Sequence, residues 1–175
     1  PSWYVGGCVQ CVDGCDGIEI TQNHVYDCFD SPFSPQIPAG YNGGLIQNIT
    51  YSDNLIDGGW ALGGVEISNW ASGGTIRNIR IEGNRISGGG TGFSGMGDGP
   101  RGPVGVIVNA NYGAGASNRF ENISIHHNLI EKCPSGGIFV EHANAKNLLI
   151  DGNTIRECGA GGSRGRAGNG QVQLR

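Results

Sequence analysis

Glu82, His126 and Asp151 each stand two residues before an asparagine, in Glu82-Gly83-Asn84, His126-His127-Asn128 and Asp151-Gly152-Asn153. A histidine set between two carboxylates suits general acid/base work, because imidazole exchanges its proton near neutral pH. The same groups can equally form a charge-compensated ladder on a solvated surface, and both readings stand. Glu141, Glu66 and Asp98 are further candidate acids. Asn109, Arg101 and the aromatic residues Trp60, Trp70 and Tyr112 are candidates for holding a substrate. These residues are far apart in the chain, so only a repeating architecture would bring them together.

Such a repeat is present. Its core is N-[IL]-x-[IL]-x-x-N-x-[IV], as in Asn78-Ile-Arg-Ile-Glu-Gly-Asn84 and Asn122-Ile-Ser-Ile-His-His-Asn128. Further copies end at Asn54 and Asn153, and one ending at Asn23 has Gly17 in place of the first asparagine. The Asn23 and Asn153 copies align without a gap from Gly6-Gly7 to Cys28 and from Gly136-Gly137 to Cys158. Each unit also carries an upstream strand, as in Gly64-Val65-Glu66-Ile67, Gly105-Val106-Ile107-Val108 and Gly137-Ile138-Phe139-Val140, with the alternation of a half-buried strand. Successive key asparagines are 31, 30, 44 and 25 residues apart, and steps near 25 suit one coil of a solenoid. The segments 29–41 and 87–103, rich in Pro and Gly, are expected to be loop insertions.

Composition agrees. Glycine numbers 34 of 175 residues, well above the usual ~7%. With only 7 prolines and no strict triplet period the chain is not collagen, and 37% hydrophobic residues with net charge −4 exclude a disordered chain. Few charged residues (15%) argue against long surface helices, and two lysines in an acidic chain argue against nucleic-acid binding. No apolar run is long enough for a transmembrane span. Pro1 is read as a processed or trimmed start. The sequence Gly170-Gln-Val-Gln-Leu174 reads as the first strand of a further coil, and no capping helix is evident, so a fragment of a longer solenoid or end-to-end stacking of chains is expected.

The pattern resembles the right-handed parallel β-helix of pectate lyases and many glycoside hydrolases, over roughly residues 6–159. The expected fold is therefore all-β, a right-handed parallel β-helix of about five to six coils lacking one or both caps, in one domain over 1–175. Stacked coils place equivalent residues ~4.8 Å apart. The asparagines at 23, 54, 84, 128 and 153 then form a ladder at a bend, in left-handed conformation and bonded amide to amide. Outward positions become columns. One holds Thr21, Ser52, Glu82, His126 and Asp151. A second holds Cys11, Ser68, Asn109 and Glu141, with Glu66, Ile107 and Phe139 beside it. A third holds Tyr26, Asp57, Ser87, Glu131 and Arg156, where Glu131 and Arg156 pair as an exposed structural ion pair worth at most ~1 kcal/mol.

The resemblance implies carbohydrate chemistry in a secreted or extracellular protein, with a glycan chain as partner and no cofactor. The leading expectation is a glycoside hydrolase, in which one carboxylic acid protonates the glycosidic oxygen while a carboxylate activates water or attacks the sugar carbon. Glu82, His126, Asp151, Glu141 and Asp98 are the residues expected to carry it. Exposed Trp60, Trp70 and Tyr112 would stack on sugar faces, or else pack beneath loops. A polysaccharide lyase or uronate epimerase, using His126, Lys132 and Arg101, is the second expectation, and its unsaturated product would absorb in the ultraviolet. A non-catalytic glycan-binding or structural solenoid is the third.

Other signals carry less. Alternation points Cys8 inward and Cys11 outward, so the spacing Cys8-x-x-Cys11-x-x-x-Cys15 does not gather ligands for one metal. Cys133 and Cys158 fall on neighbouring coils at disulfide distance, and a disulfide and a reduced stack remain equally open. Gly90-Thr-Gly92-Phe-Ser-Gly95 follows no strand that opens into a helix, so a dinucleotide site is not expected.

Overall fold

The computed structural model describes residues 7–28, 30–58, 63–89, 103–110, 117–141, 144–159 and 172–174. Among these, every regular element is a β-strand, and every strand pairing is parallel. Sheet A stacks Val9–Val12, Phe33–Ile37, Gly63–Asn69, Val104–Ala110, Gly136–Glu141 and Val172–Leu174. Sheet B stacks Asp16–Thr21, Leu45–Ser52, Gly74–Glu82, Asn118–His126 and Ala145–Asp151. Sheet C stacks His24–Tyr26, Leu55–Gly58, Arg85–Gly88, Leu129–Glu131 and Thr154–Arg156. The chain visits A, B and C in turn and pairs each strand with its equivalent one coil away, which is the parallel β-helix that the repeat predicts.

Register turns the apolar alternation into interior stacks. Ile18, Ile49, Ile79, Ile123 and Leu148 form one, and Val25, Ile56, Ile86, Ile130 and Ile155 form another. Tyr51 is fully buried in the stack of Ile20, Ile81, Ile125 and Ile150. Its ring lies 5.2 Å from that of Phe33 on sheet A, and its hydroxyl donates to the Cys11 thiol at 3.7 Å. A small thiol on the opposite sheet leaves the volume a tyrosine needs, and the hydroxyl is paired as burial demands.

The bend between sheets B and C is held by the key asparagines. Oδ1 of Asn54, Asn84, Asn128 and Asn153 each accepts the backbone N–H and the side-chain Nδ2 of the asparagine one coil earlier, at 2.9–3.1 Å. Nδ2 of Asn54, Asn84, Asn128 and Asn153 also donates to Ile20, Tyr51, Ile81 and Ile125 carbonyls. The expected ladder is therefore present, but its asparagines are not the left-handed residues. Three other columns are: Gly17, Asn48, Asn78, Asn122 and Asn147; Gln22, Asp53, Gly83, His127 and Gly152; and Asp27, Gly58, Gly88, Lys132 and Glu157. Each coil thus bends once within its sheet B strand, again just after that strand and again at the end of its sheet C strand, and the key asparagine is left free to aim its amide inward.

Several sequence expectations change. Phe33–Ile37, taken as loop, is a strand of sheet A, because Phe33 and Ile37 are fully buried and fill interior positions. Pro35 is accommodated because it is paired only toward Cys11, and the pairing with Gly63–Asn69 is interrupted at Ser34 and Pro35. Within 87–103, Ser87 and Gly88 close a strand of sheet C, while 90–102 lie outside the described residues. Cys11 points into the core, not outward. The register pairs Val9 with Phe33 and carries that position through Val65 and Val106 to Ile138, so Cys11 occupies the level of Val140 rather than that of Glu141. The first connection from A to B is one residue shorter than the last, and a one-residue slip exchanges the faces of a strand.

Cys8 and Cys28 form a disulfide, which the spacing did not reveal, while Cys11, Cys15, Cys133 and Cys158 are free thiols. Of the two possibilities for Cys133 and Cys158, the reduced stack is observed, with the Cys133 N–H donating to Cys158 Sγ at 3.5 Å. The Glu131–Arg156 pair is present but is not an exposed one. Only 3% of the Glu131 side chain is exposed, and Arg85 on the preceding coil binds its other oxygen. The hydrogen bond from Arg156, with further help from Arg85, lowers the carboxyl below its ordinary range.

Asn84→Ala strips the ladder at one coil of the Oδ1 that accepts from Asn54 and of the Nδ2 that donates to the Tyr51 carbonyl, and is expected to cost about 3 kcal/mol in chemical denaturation. A change below about 0.5 kcal/mol would show that the ladder is passive. Alkylation of the unfolded, unreduced chain should label four cysteines, with Cys8 and Cys28 recovered as one linked peptide. A linked Cys133–Cys158 peptide from freshly purified protein would contradict this assignment.

Candidate functional site

The first outward column forms on sheet B as predicted. Thr21, Ser52, Glu82, His126 and Asp151 are in register on five consecutive coils. His126 Nε2 lies 3.2 Å from Glu82 Oε2, and its Nδ1 lies 2.9 Å from Nδ1 of His127. Glu82 also meets Arg80 at 3.4 Å. Asp151 is the exposed register partner of His126 on the next coil. Glu82 thus meets Arg80 on its own strand and His126 on the next coil, on a face where the Glu82 and His126 side chains keep 29% and 21% exposure.

Glu141 and Asn109 belong to a different surface. They lie on the outer side of sheet A, where the true column is Val12, Gln36, Ser68, Asn109 and Glu141. Beside it runs Glu66, Ile107 and Phe139. The candidate acids therefore divide between two sheets and cannot act as one constellation. Although these residues point away from the coil interior, Glu66, Ser68, Asn109 and Glu141 are all buried. Ile107 and Phe139, with Val104, form an apolar cluster separate from the main core. Glu66 is thereby held on a dry wall.

Two residues that sequence reasoning missed complete this face. Asp30 and Ser31 immediately precede Pro32 and the strand Phe33–Ile37, and both are buried. Ser31 Oγ donates to Glu66 Oε2 at 2.7 Å, and Ser68 Oγ lies 2.5 Å from Glu66 Oε1 and 2.7 Å from Asn109 Oδ1. The single Ser68 proton cannot serve both acceptors. Turning the Asn109 amide over lets Nδ2, otherwise without a partner, donate to Ser68, while Ser68 donates to Glu66. Glu66 then accepts a hydroxyl at each oxygen, which suits a carboxylate. Asp30 has no such support. Its Oδ1 is buried without a hydrogen-bond partner, and burial together with the Glu66 charge raises its carboxyl to about 6. A carboxyl raised to about 6 near a second that accepts two serine hydroxyls is the kind of inequality that acid/base chemistry on two carboxyls uses.

Trp70 directly follows the strand Gly63–Asn69, half-buried, with its N–H bonded to the Ile37 carbonyl at 2.9 Å. Trp60, Asp98, Arg101 and Tyr112 lie outside the described residues, as does the glycine-rich Gly90–Gly95 stretch. In the chain Trp60 precedes Gly63–Asn69, Asp98 and Arg101 precede Val104–Ala110, and Tyr112 follows it. Lys132 occupies the left-handed turn after sheet C, away from His126 in sheet B. Asp30 was hidden because the prolines of 29–41 read as a loop. A trace of it existed in Ser31-Pro32-Phe33, a strand start in the position of Gly63-Gly64-Val65.

No curated protein and no solved structure matches the chain. A family model of the right-handed β-helix region matches residues 4–174, nearly the whole length. The strand register, the interior stacks and the asparagine ladder agree with it, and the chain belongs to the right-handed β-helix family.

Proposed function

We propose that this β-helix is a glycoside hydrolase whose chemistry is carried by Asp30 and Glu66 on the outer face of sheet A. The observation that carries this reading is the unequal pair itself: Asp30 raised to about 6 next to a Glu66 that two serine hydroxyls support. Asp30, at 8% exposure against 1% for Glu66 and Glu141, marks the side from which a sugar reaches the pair. Asp30 gives its proton to the glycosidic oxygen as the bond to the anomeric carbon breaks. Glu66 takes the proton of the incoming water, or itself bonds the anomeric carbon and is released by water in a second step. The apolar side chains of Ile107 and Phe139 keep bulk water away and strengthen the electrostatic contrast between the two carboxyls. Glu141 and Asn109 flank them and suit contacts to sugar hydroxyls. Substrate class and secretion follow the family resemblance, and the Glu82–His126–Asp151 column is assigned to the surface of sheet B.

Release of reducing ends from a panel of β-linked plant and bacterial polysaccharides tests this. Asp30→Asn and Glu66→Gln should each lower kcat by about a hundredfold or more, and His126→Ala should leave it within about twofold. Wild-type activity should fall as pH rises through about 6, because the acid is then lost. The sign for stability is the same. A carboxyl whose folded pKa exceeds its unfolded value binds its proton more tightly when folded, so its contribution is complete below about 4 and is lost as pH rises through about 6. Full activity in both carboxyl variants, or loss of activity in His126→Ala alone, would move the chemistry to sheet B. An unsaturated product would replace hydrolysis by elimination.

A further inference from the structure

Sheet B carries a second built feature. A groove of about 510 Å³ runs along the solenoid axis, lined by Asn48, Asn78 and Asn122 on one side and by Thr50, Arg80 and Ser124 on the other. It exists because Asn48, Asn78 and Asn122 are left-handed (φ 57°, 54° and 54°), which bends each coil so that the two columns converge. The amides form an exposed ladder of their own, distinct from the inward one: Asn78 Nδ2 donates to Asn48 Oδ1 at 2.8 Å, Asn122 to Asn78 at 2.9 Å and Asn147 to Asn122 at 2.9 Å.

An amide has two N–H donors and an oxygen with two lone pairs. The ladder uses one of each per coil. One donor and one acceptor therefore remain on every coil, repeated at the ~4.8 Å spacing of parallel strands. Vicinal hydroxyls offer the matching array, each able to donate and accept. The groove carries one acid, Glu19, and one base, Arg80, in the same column, so a polyanion gains no net attraction there. At one end stands Gly17, with φ +69° and open space where a side chain would project; there Asn48 Nδ2 donates instead to Asp16 Oδ1 at 2.7 Å, and the groove continues past the last amide.

We infer that this groove is a binding site for a neutral, extended oligosaccharide, which lies along the coils with its hydroxyls on the outer amide ladder. It takes the choice of a sugar from the proposed function but uses none of the sheet A groups. The site would hold a polymeric substrate on the enzyme while sheet A acts elsewhere on the same chain or on a neighbouring one.

Calorimetric titration of the Asp30→Asn protein with cellohexaose, xylohexaose and mannohexaose, each against its monosaccharide, tests the inference without turnover. At least one hexasaccharide should bind ten times or more tightly than its monosaccharide. Asn78→Gly keeps the left-handed turn and removes the amide, so it should weaken binding about tenfold with an unchanged circular dichroism spectrum. Asn122→Gly should do the same, and Gly17→Asn, which adds a rung, should strengthen it. Absence of hexasaccharide binding, or equal affinity in both asparagine variants, overturns the site. Hydrolysis by the wild type alongside an inert groove would remove this inference alone, and groove binding without hydrolysis would remove only the proposed function.

Discussion

The inward asparagine ladder at the bend between sheets B and C is the interaction on which the rest depends. Its amides bond backbone and side chain one coil away, and they also bond strand carbonyls. They can do so in only one register. Because a strand changes face with every residue, that register decides which side chains enter the core and which form columns outside. Hydrophobic stacking alone is more permissive, since isoleucines of neighbouring coils attract one another without direction. The directional amides convert a sticky stack into a defined lattice.

That lattice makes two unlike surfaces. On sheet B the outward residues are mostly polar and partly exposed, and Glu82 there meets Arg80 and His126. On the middle strands of sheet A the outward residues Glu66, Ser68, Asn109 and Glu141 are buried, and polar groups there carry the cost of lost hydration. Glu66 meets that cost through two serines, whereas for Asp30 burial, with the Glu66 charge, raises the carboxyl to about 6. The contrast between the two carboxyls is a consequence of where the fold places them, which is why a site argued from charge alone favours sheet B and a site argued from environment favours sheet A.

Much of this was legible from residue order. The column Thr21, Ser52, Glu82, His126 and Asp151 could be written down because each member has a fixed offset from a key asparagine, and no insertion separates the two. Sheet A lies across connections of variable length, so offsets fail there. One residue fewer after Val12 was enough to place Cys11 on the wrong face. Asp30 lies in a proline-rich stretch whose strand is recognisable only through the burial of Phe33 and Ile37. The Cys8–Cys28 disulfide was hidden for the same reason, since its partners meet across the first coil and not between equivalent positions on adjacent coils. The left-handed residues were misassigned by one place, because asparagine suits both a left-handed turn and an inward amide, and only the three-dimensional bend distinguishes the roles.

The central claim is that burial, with the neighbouring Glu66 charge, raises the Asp30 carboxyl to about 6, and the most direct measurement is the titration of the Asp30 carboxyl followed by carbon-13 NMR. The account predicts a midpoint near 6 in the folded protein, moving toward the ordinary carboxylate range in Glu66→Gln because that substitution removes the neighbouring charge. A midpoint near about 4 in the folded wild type, unchanged by Glu66→Gln, would contradict it.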